Sequence, residues 1–355
     1  MFEVMASEQL NKRERRVLEA VIRSYVETAE PAGSRTLSRR FGLGVSPATI
    51  RNTMSDLEDK GFLFHPHTSA GRVPTNKAYR AYVDSLLSLP PLQAVEAERI
   101  IEEITGAQAS PIEMVLRRAA QTLGVLTQEL GVALGPRLDH SVLRRLELVR
   151  VSSERMLMVL TLEGGLVRTV FVEVPVDIVD SALGAVTAVL NERLAGLTLG
   201  QIRGSLPERL RDSGGNAGAG AAELLNIFLE EGEHLFETAL PISDAQPVLL
   251  GSTSALTEQP EFSAADRLRR LLELTETPHA IGETMRKRVH APGISITIGA
   301  EHDDPRLEDF TVVTAEYHIG PLAGVIGVIG PTRMPYDKVI TLVSHTSRLL
   351  SELLE

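Results

Sequence analysis

The sequence predicts an α+β fold that begins with a winged helix-turn-helix, and three observations carry that expectation. Residues 34–74 read as a short helix over Ser34–Phe41, a turn at Gly42-Leu43-Gly44-Val45, a second helix over Ser46–Lys60 and a polar, hairpin-like run from Gly61 to Pro74. Strand character dominates Leu143–Val174 and returns after residue 248. Between these strand-rich halves, residues 178–240 read as helices. A helix, a glycine turn, a proline-started helix and a hairpin together place one helix in a DNA groove.

Each element has a local cause. Asn11 followed by Glu14 forms a capping pair, and Val17, Leu18, Val21, Ile22, Tyr25 and Val26 recur at helical spacing. Glu30-Pro31-Ala32-Gly33 ends that helix. Ser46-Pro47 supplies a capping hydroxyl and then a proline at the first helical position. A further helix is expected over Thr75–Leu89, stopped by Pro90-Pro91, where the first domain boundary falls. Helices follow at Leu92–Ile104 and Ile112–Leu130. Strands are expected at Leu146–Val151, Met156–Leu162 and Val167–Val174, with a Glu163-Gly164-Gly165 turn between the last two. A Gly/Ala/Asn/Ser-rich loop at Ser213–Gly220 interrupts the helical stretch. Val248–Leu250, Ile294–Ile298, Phe310–Tyr317 and Gly324–Ile329 are further strands, and Tyr336–Leu354 is an apolar closing helix. Strands of 146–174 are expected to combine with those of 294–329, a high contact order that slows folding.

Composition narrows the function. The net charge of −11 looks wrong for a nucleic-acid binder until it is split. Residues 1–90 hold 13 Lys/Arg against 10 Asp/Glu, whereas the remainder holds 23 against 37. Positive charge therefore sits on the candidate DNA reader and the rest repels phosphate. Cysteine is absent, which excludes disulfides and thiolate metal sites and fits a reducing, cytoplasmic setting. Met1–Leu10 has no apolar run of a signal peptide, and no stretch approaches a membrane span.

On a helical wheel, Ile50, Thr53, Met54 and Leu57 face the core, while Ala48, Asn52, Ser55 and Asp59 lie opposite, flanked by Thr49 and Arg51. With the capping Ser46, the candidates for DNA contact on this helix are Thr49, Arg51, Asn52 and Ser55. Arginine matches guanine bidentately, and asparagine matches adenine. In the hairpin, His65, His67, Thr68, Ser69 and Arg72 surround a Ser-Ala-Gly tip that allows close approach to phosphate, with Arg72 able to enter a minor groove. His65-x-His67 offers only two imidazoles with no nearby thiol or carboxylate, so no metal is expected. His302-Asp303-Asp304, followed by Pro305, reads as a polar turn. No nucleophile elbow, phosphate loop, dinucleotide fingerprint or zincin motif is present, so neither catalysis nor a cofactor is expected. The glycine-rich run Gly320–Gly330 lacks the lysine and hydroxyl of a phosphate loop and reads as a turn with close strand packing.

These residues also resemble a known family. Pro31-x-Gly33-Ser34-x-x-Leu37, Ser46-x-Ala48-Thr49-Ile50-Arg51-Asn52-x-Met54-x-x-Leu57-Glu58 and His67-Thr68-Ser69-Ala70-Gly71-Arg72-x-Pro74-Thr75 look like the heat-inducible transcription repressor family HrcA. The likeness continues through Leu249-Leu250-Gly251-x-Thr253-Ser254, Gln259-Pro260-Glu261-Phe262 and Val313-Thr314-Ala315. It ends with Gly327-Val328-Ile329-Gly330-Pro331-Thr332-Arg333-Met334. It spans essentially the whole chain. Thr53, where the family leads one to expect an acid, and Pro335 are departures.

The resemblance implies a dimeric repressor of chaperone operons that binds double-stranded, inverted-repeat operator DNA and is kept active by the GroE chaperonin. It also implies three domains: a DNA reader over 1–90, a GAF-like domain over 105–176 and 242–355, and an inserted dimerisation domain over 177–241. The competing expectation is a regulator whose GAF-like domain senses a small molecule.

Overall fold

The computed structural model describes residues 10–67, 71–86, 91–106, 112–136, 138–163, 166–174, 179–211, 219–239, 248–257, 259–263, 265–276, 279–289, 291 and 293–354. Thr68, Ser69 and Ala70 of the hairpin tip, the Gly164-Gly165 pair and most of the loop expected at Ser213–Gly220 lie outside these residues.

Along the chain, helices α1 (Lys12–Thr28), α2 (Ser34–Phe41) and α3 (Pro47–Asp59) precede a two-stranded ribbon, β1 (Leu63–Phe64) with β2 (Val73–Pro74). Helices α4 (Asn76–Asp84), α5 (Ala94–Thr105) and α6 (Ile112–Thr127) lead into β3 (Leu130–Leu134), which is followed by β4 (Leu143–Arg150), β5 (Arg155–Leu162) and β6 (Val167–Glu173). Helices α7 (Asp180–Leu194), α8 (Leu199–Leu210) and α9 (Ala219–Ala239) come next, then β7 (Val248–Leu250). The chain continues through α10 (Ser254–Thr257), α11 (Ala265–Glu276) and α12 (His279–Arg286) to β8 (Ile294–Ile298), β9 (Phe310–Ile319), β10 (Leu322–Pro331) and α13 (Tyr336–Leu354). The fold class is α+β, as the alternating patterns predict.

Packing divides the chain into two compact units. One comprises Met1–Ala133, Leu249–Glu316 and Val325–Leu349; the other comprises Leu134–Val248, Tyr317–Gly324 and Leu350–Glu355. The first holds the N-terminal helices and most of a five-stranded sheet ordered β7-β3-β10-β9-β8. Strand β8 runs antiparallel to β9, with Ile296 opposite Val313. Val313, Ile326, Val328 and Ile329 are fully buried, as are Val339, Leu342 and Val343 of α13. Burying each such aliphatic side chain contributes about 1.5–3 kcal/mol. Strand β3 passes so close to α6 that a β-carbon on Gly131 would sit 1.7 Å from the Ala120 carbonyl oxygen. The glycine-rich run 320–330 forms the turn ahead of β10 and that strand itself.

In the second unit, β4, β5 and β6 form an antiparallel meander of their own. Leu146, Met156, Met158, Leu160, Val170 and Val172 point inward, where α7, α8 and α9 cover them with Leu190, Ile202, Leu206 and Phe228. Asn191 closes the free edge of β4: its Nδ2 donates to the Leu146 carbonyl at 2.7 Å and its Oδ1 accepts from the Leu146 amide at 2.8 Å. This departs from the expected union of 146–174 with 294–329. Alternation fixes which face of a strand is buried but not which partner buries it. Here the local hairpins and the helices that follow them satisfy that face. The opposite face carries a row of in-register apolar residues, Val149, Leu157 and Phe171, of which Val149 and Phe171 are exposed.

Candidate nucleic-acid interface

Helix α3 is fixed from its first residue. The Ser46 hydroxyl oxygen accepts from the Thr49 amide at 3.1 Å and lies 3.0 Å from the Thr49 hydroxyl, and Pro47 occupies the first helical position. Gly42 and Gly44, both in the left-handed region, turn the chain from α2 into α3. Ile50, Thr53, Met54 and Leu57 are buried, with the Thr53 hydroxyl turned back to the Thr49 carbonyl at 3.1 Å. Arg51, Asn52, Ser55 and Asp59 are exposed, and Thr49 is half-buried. Among the described residues no side chain holds Arg51 or Asn52, so both remain available to an outside partner.

The far end of α3 is tied to α1. Glu14, buried at the start of α1, accepts from the Asn11 amide at 3.0 Å and takes Lys60 Nζ on both carboxylate oxygens at 2.8 Å. Burial alone would raise the Glu14 carboxyl, but these hydrogen bonds hold it below its ordinary value.

Glu58 joins α3 to the ribbon. One carboxylate oxygen meets His65 Nδ1 at 2.9 Å and the other meets Arg72 Nη2 at 2.7 Å. Arg72 is therefore engaged and largely covered, whereas His67 is exposed. The ribbon also pairs with the loop after α1: the Ala32 amide donates to the Arg72 carbonyl at 2.9 Å, and the Arg72 amide returns the bond at 3.0 Å. A β-carbon on Gly71 would lie 2.4 Å from the Ala32 carbonyl, so only glycine allows this approach. Thr68 and Ser69 lie outside the described residues.

Beside the Leu43–Val45 turn, a hollow of 220 Å³ is lined by Lys12, Arg13 and Arg16 together with Val17, Leu43 and Val45. All three cations are exposed. The sequence reading missed them as candidates, although the run Lys12-Arg13-Glu14-Arg15-Arg16 carries the signal: four cations on the first turns of one helix. Among the described residues no group of three or more His, Asp or Glu is arranged to hold a metal ion. No helix among them is long and apolar enough to cross a membrane.

A family profile described as the HrcA protein C terminal domain matches residues 113–340. The heat-inducible transcription repressor HrcA of Chlorobium chlorochromatii is 37% identical over 98% of both chains. That of Geobacter sulfurreducens is 38% identical, again over 98% of each. The chain belongs to the HrcA family. HrcA proteins are transcription repressors rather than an enzyme family, and their name ties them to the heat-shock response. A crystal structure of a hypothetical protein at 2.2 Å resolution superposes with a TM-score of 0.68 at 25% identity, covering 97% of this chain and 98% of the other.

Two of the HrcA-like runs meet in the first unit. Arg333 of the Gly-Pro-Thr-Arg-Met run forms a two-pronged pair with Glu261 of the Gln-Pro-Glu-Phe run, with Nη2 and Oε2 2.9 Å apart. A third prong, Arg333 Nη1, donates to the Val26 carbonyl in the last turns of α1. Nearby, Tyr79 of α4 is buried against Tyr336, ring centroids 5.8 Å apart. Arg80 pairs with Glu301 and donates to the Ile296 carbonyl at 2.8 Å. The N-terminal helices of this HrcA protein are thereby held to its sheet by two arginines and a tyrosine.

Proposed function

We propose that this chain is a winged helix-turn-helix repressor that binds double-stranded, inverted-repeat operators of chaperone genes as a cytoplasmic homodimer. The observation that carries the reading is a capped helix, α3, whose inner face is buried while Arg51 and Asn52 stand exposed and unheld. Arg51, Asn52 and Ser55 read base edges, while Ser46 and Thr49, at the helix N-terminus, receive a phosphate. Lys12, Arg13 and Arg16 neutralise the backbone alongside. His67, Thr68 and Ser69 form the wing's contact with DNA. Arg72 joins them only by exchanging Glu58 for a phosphate. The region of 1–90 is the reader, 105–176 with 242–355 corresponds to the GAF-like domain, and 177–241 to the inserted one. In this assignment β4–β6 share a core with the inserted helices.

Homodimerisation is supported by the outward row Val149, Leu157 and Phe171. An exposed apolar sheet face suits a second copy, and a two-fold protein suits a two-fold operator. Dependence on the GroE chaperonin is supported by topology. Strand β3, near residue 130, is placed beside β10, near residue 325, only after the nearly 190 intervening residues, 135–321, have been synthesised. Such non-local pairing is slow and leaves apolar strands exposed meanwhile. Heat diverts the chaperonin to other clients, the active repressor falls, and its targets are released.

The test is a gel mobility shift on a chaperone promoter carrying an inverted repeat, with protein refolded in the presence or absence of chaperonin. Salt-sensitive, repeat-dependent binding with more active sites after assisted refolding is expected. Loss of all repeat-dependent binding rejects the DNA reading, and equal active-site yields reject the folding mechanism.

A further inference from the structure

Arg288 follows α12 and is 7% exposed. Among the described residues its guanidinium donates only to neutral acceptors: Nη1 to the Val312 carbonyl and the Thr314 hydroxyl at 3.0 Å and to the Ser295 carbonyl at 3.4 Å, and Nη2 to the Thr297 hydroxyl. Among the described residues no carboxylate lies at ion-pair distance from it. Burial pushes the group down to about 10, so it remains a cation at neutral pH. A buried charge hydrogen-bonded but not neutralised is costly, and an opposite charge from outside the chain would offset that cost.

This guanidinium forms the floor of an open cleft of 470 Å³, within the range of small-molecule sites. Ser295 and Thr297 add hydroxyls beside it, and burial with the neighbouring Arg288 charge pushes His302 down to about 4, leaving its imidazole neutral. The rim has the opposite polarity. Glu283, Glu301, Asp303 and Asp304 line it, with Lys287 the one basic group facing them among the described lining residues. Asp303 is already paired with Lys287, Glu301 with Arg80, and Asp304 with Arg306. A simple anion is drawn to the floor but opposed by this rim; a molecule with both poles satisfies each.

We propose that the Arg288 cleft binds a small zwitterion of the free amino-acid class, its carboxylate on Arg288 and its ammonium among the rim carboxylates. Glu301 connects this site to the N-terminal helices, because the carboxylate that borders the cleft is the one that anchors Arg80. The site is independent of how α3 meets DNA.

The full-length protein would be titrated calorimetrically with each of the twenty standard amino acids. Acetate, inorganic phosphate and ethylammonium serve as single-pole controls. At least one amino acid is expected to bind with a dissociation constant below about 1 mM, and the controls at least tenfold more weakly. Arg288→Lys removes the two-pronged fork and is expected to weaken binding tenfold or more. Glu283→Gln, on the exposed rim, is expected to weaken it several-fold. No binding of any amino acid at about 10 mM, equal binding of acetate or phosphate, or affinity unchanged in both variants overturns the proposal. Where Arg288→Lys does not fold, Glu283→Gln decides alone, and unchanged affinity there rejects the zwitterion.

Discussion

Arg333 lies 307 positions beyond Val26 in the chain, and its guanidinium donates to the Val26 carbonyl while pairing with Glu261. Both charged side chains are largely covered, at 13% and 14% exposure. Removing one leaves the other buried and unpaired. Arg333→Ala is therefore expected to destabilise the protein by about 2–5 kcal/mol, and the Arg333→Ala/Glu261→Ala pair by less than the sum. Denaturant titrations of the double-mutant cycle measure this, with hydrogen exchange of α1 as a local readout. Additive effects would show that the pair does not act as a unit.

Arg51→Ala and Asn52→Ala should leave the melting temperature unchanged, because neither side chain has a partner among the described residues. Each should weaken operator binding by about 1–3 kcal/mol and relax base choice. Arg16→Ala should act differently, weakening specific and random DNA alike and reducing the salt slope by roughly 1. Fluorescence anisotropy on operator and scrambled duplexes at several salt concentrations separates the two patterns. Full affinity in both α3 variants would remove that helix from the interface.

Glu14 predicts a pH dependence with a definite sign. Its folded carboxyl sits below its ordinary value of 4.5, so its pairing with Lys60 is fully stabilising above that value and is lost as pH falls beneath it, through the lower folded value. Glu14→Gln should cost about 1.5–3 kcal/mol at pH 7, and the gap to the native protein should close as pH falls below 4.5. A gap that widens on acidification would contradict this assignment.

Phe171→Glu should yield monomers without unfolding the second unit, because Phe171 is 59% exposed on the outward face, with the Arg155 guanidinium over its ring. Sedimentation velocity and far-UV dichroism check the two halves of that statement. A tight dimer in the variant would place the interface elsewhere. Deleting the helices of the expected dimerisation domain would not isolate the interface, because α7–α9 cover the inner face of β4–β6.

What could be read in the sequence was whatever is local. The Asn11 and Ser46 caps, the glycine turn and the buried face of α3 all follow from spacings of four residues or fewer, and they stand as expected. Strand β3 was not legible. Leu130-Gly131-Val132-Ala133-Leu134 is buried on both faces, and such an apolar run gives no period to separate strand from helix. Nor could Glu14–Lys60, Glu58–Arg72 or Arg333–Val26 be seen, since a charged side chain reads as surface until a distant element is folded onto it. Arg288, which has no ionic partner among the described residues, left no trace in the pattern.

The separation of Arg333 from Val26 also sets an order of events on the ribosome. The segment carrying α1 to α4 is made first, and the arginine that clasps α1 is made last. At about 5–20 residues per second, roughly 15–60 s pass between them. Throughout that interval a nascent chain carries the residues of α3 but no clasp, and it is tethered to its own message. Synthesis of new repressor therefore adds nothing to the pool of clasped molecules until each chain is almost complete, so that pool trails translation by a built-in lag.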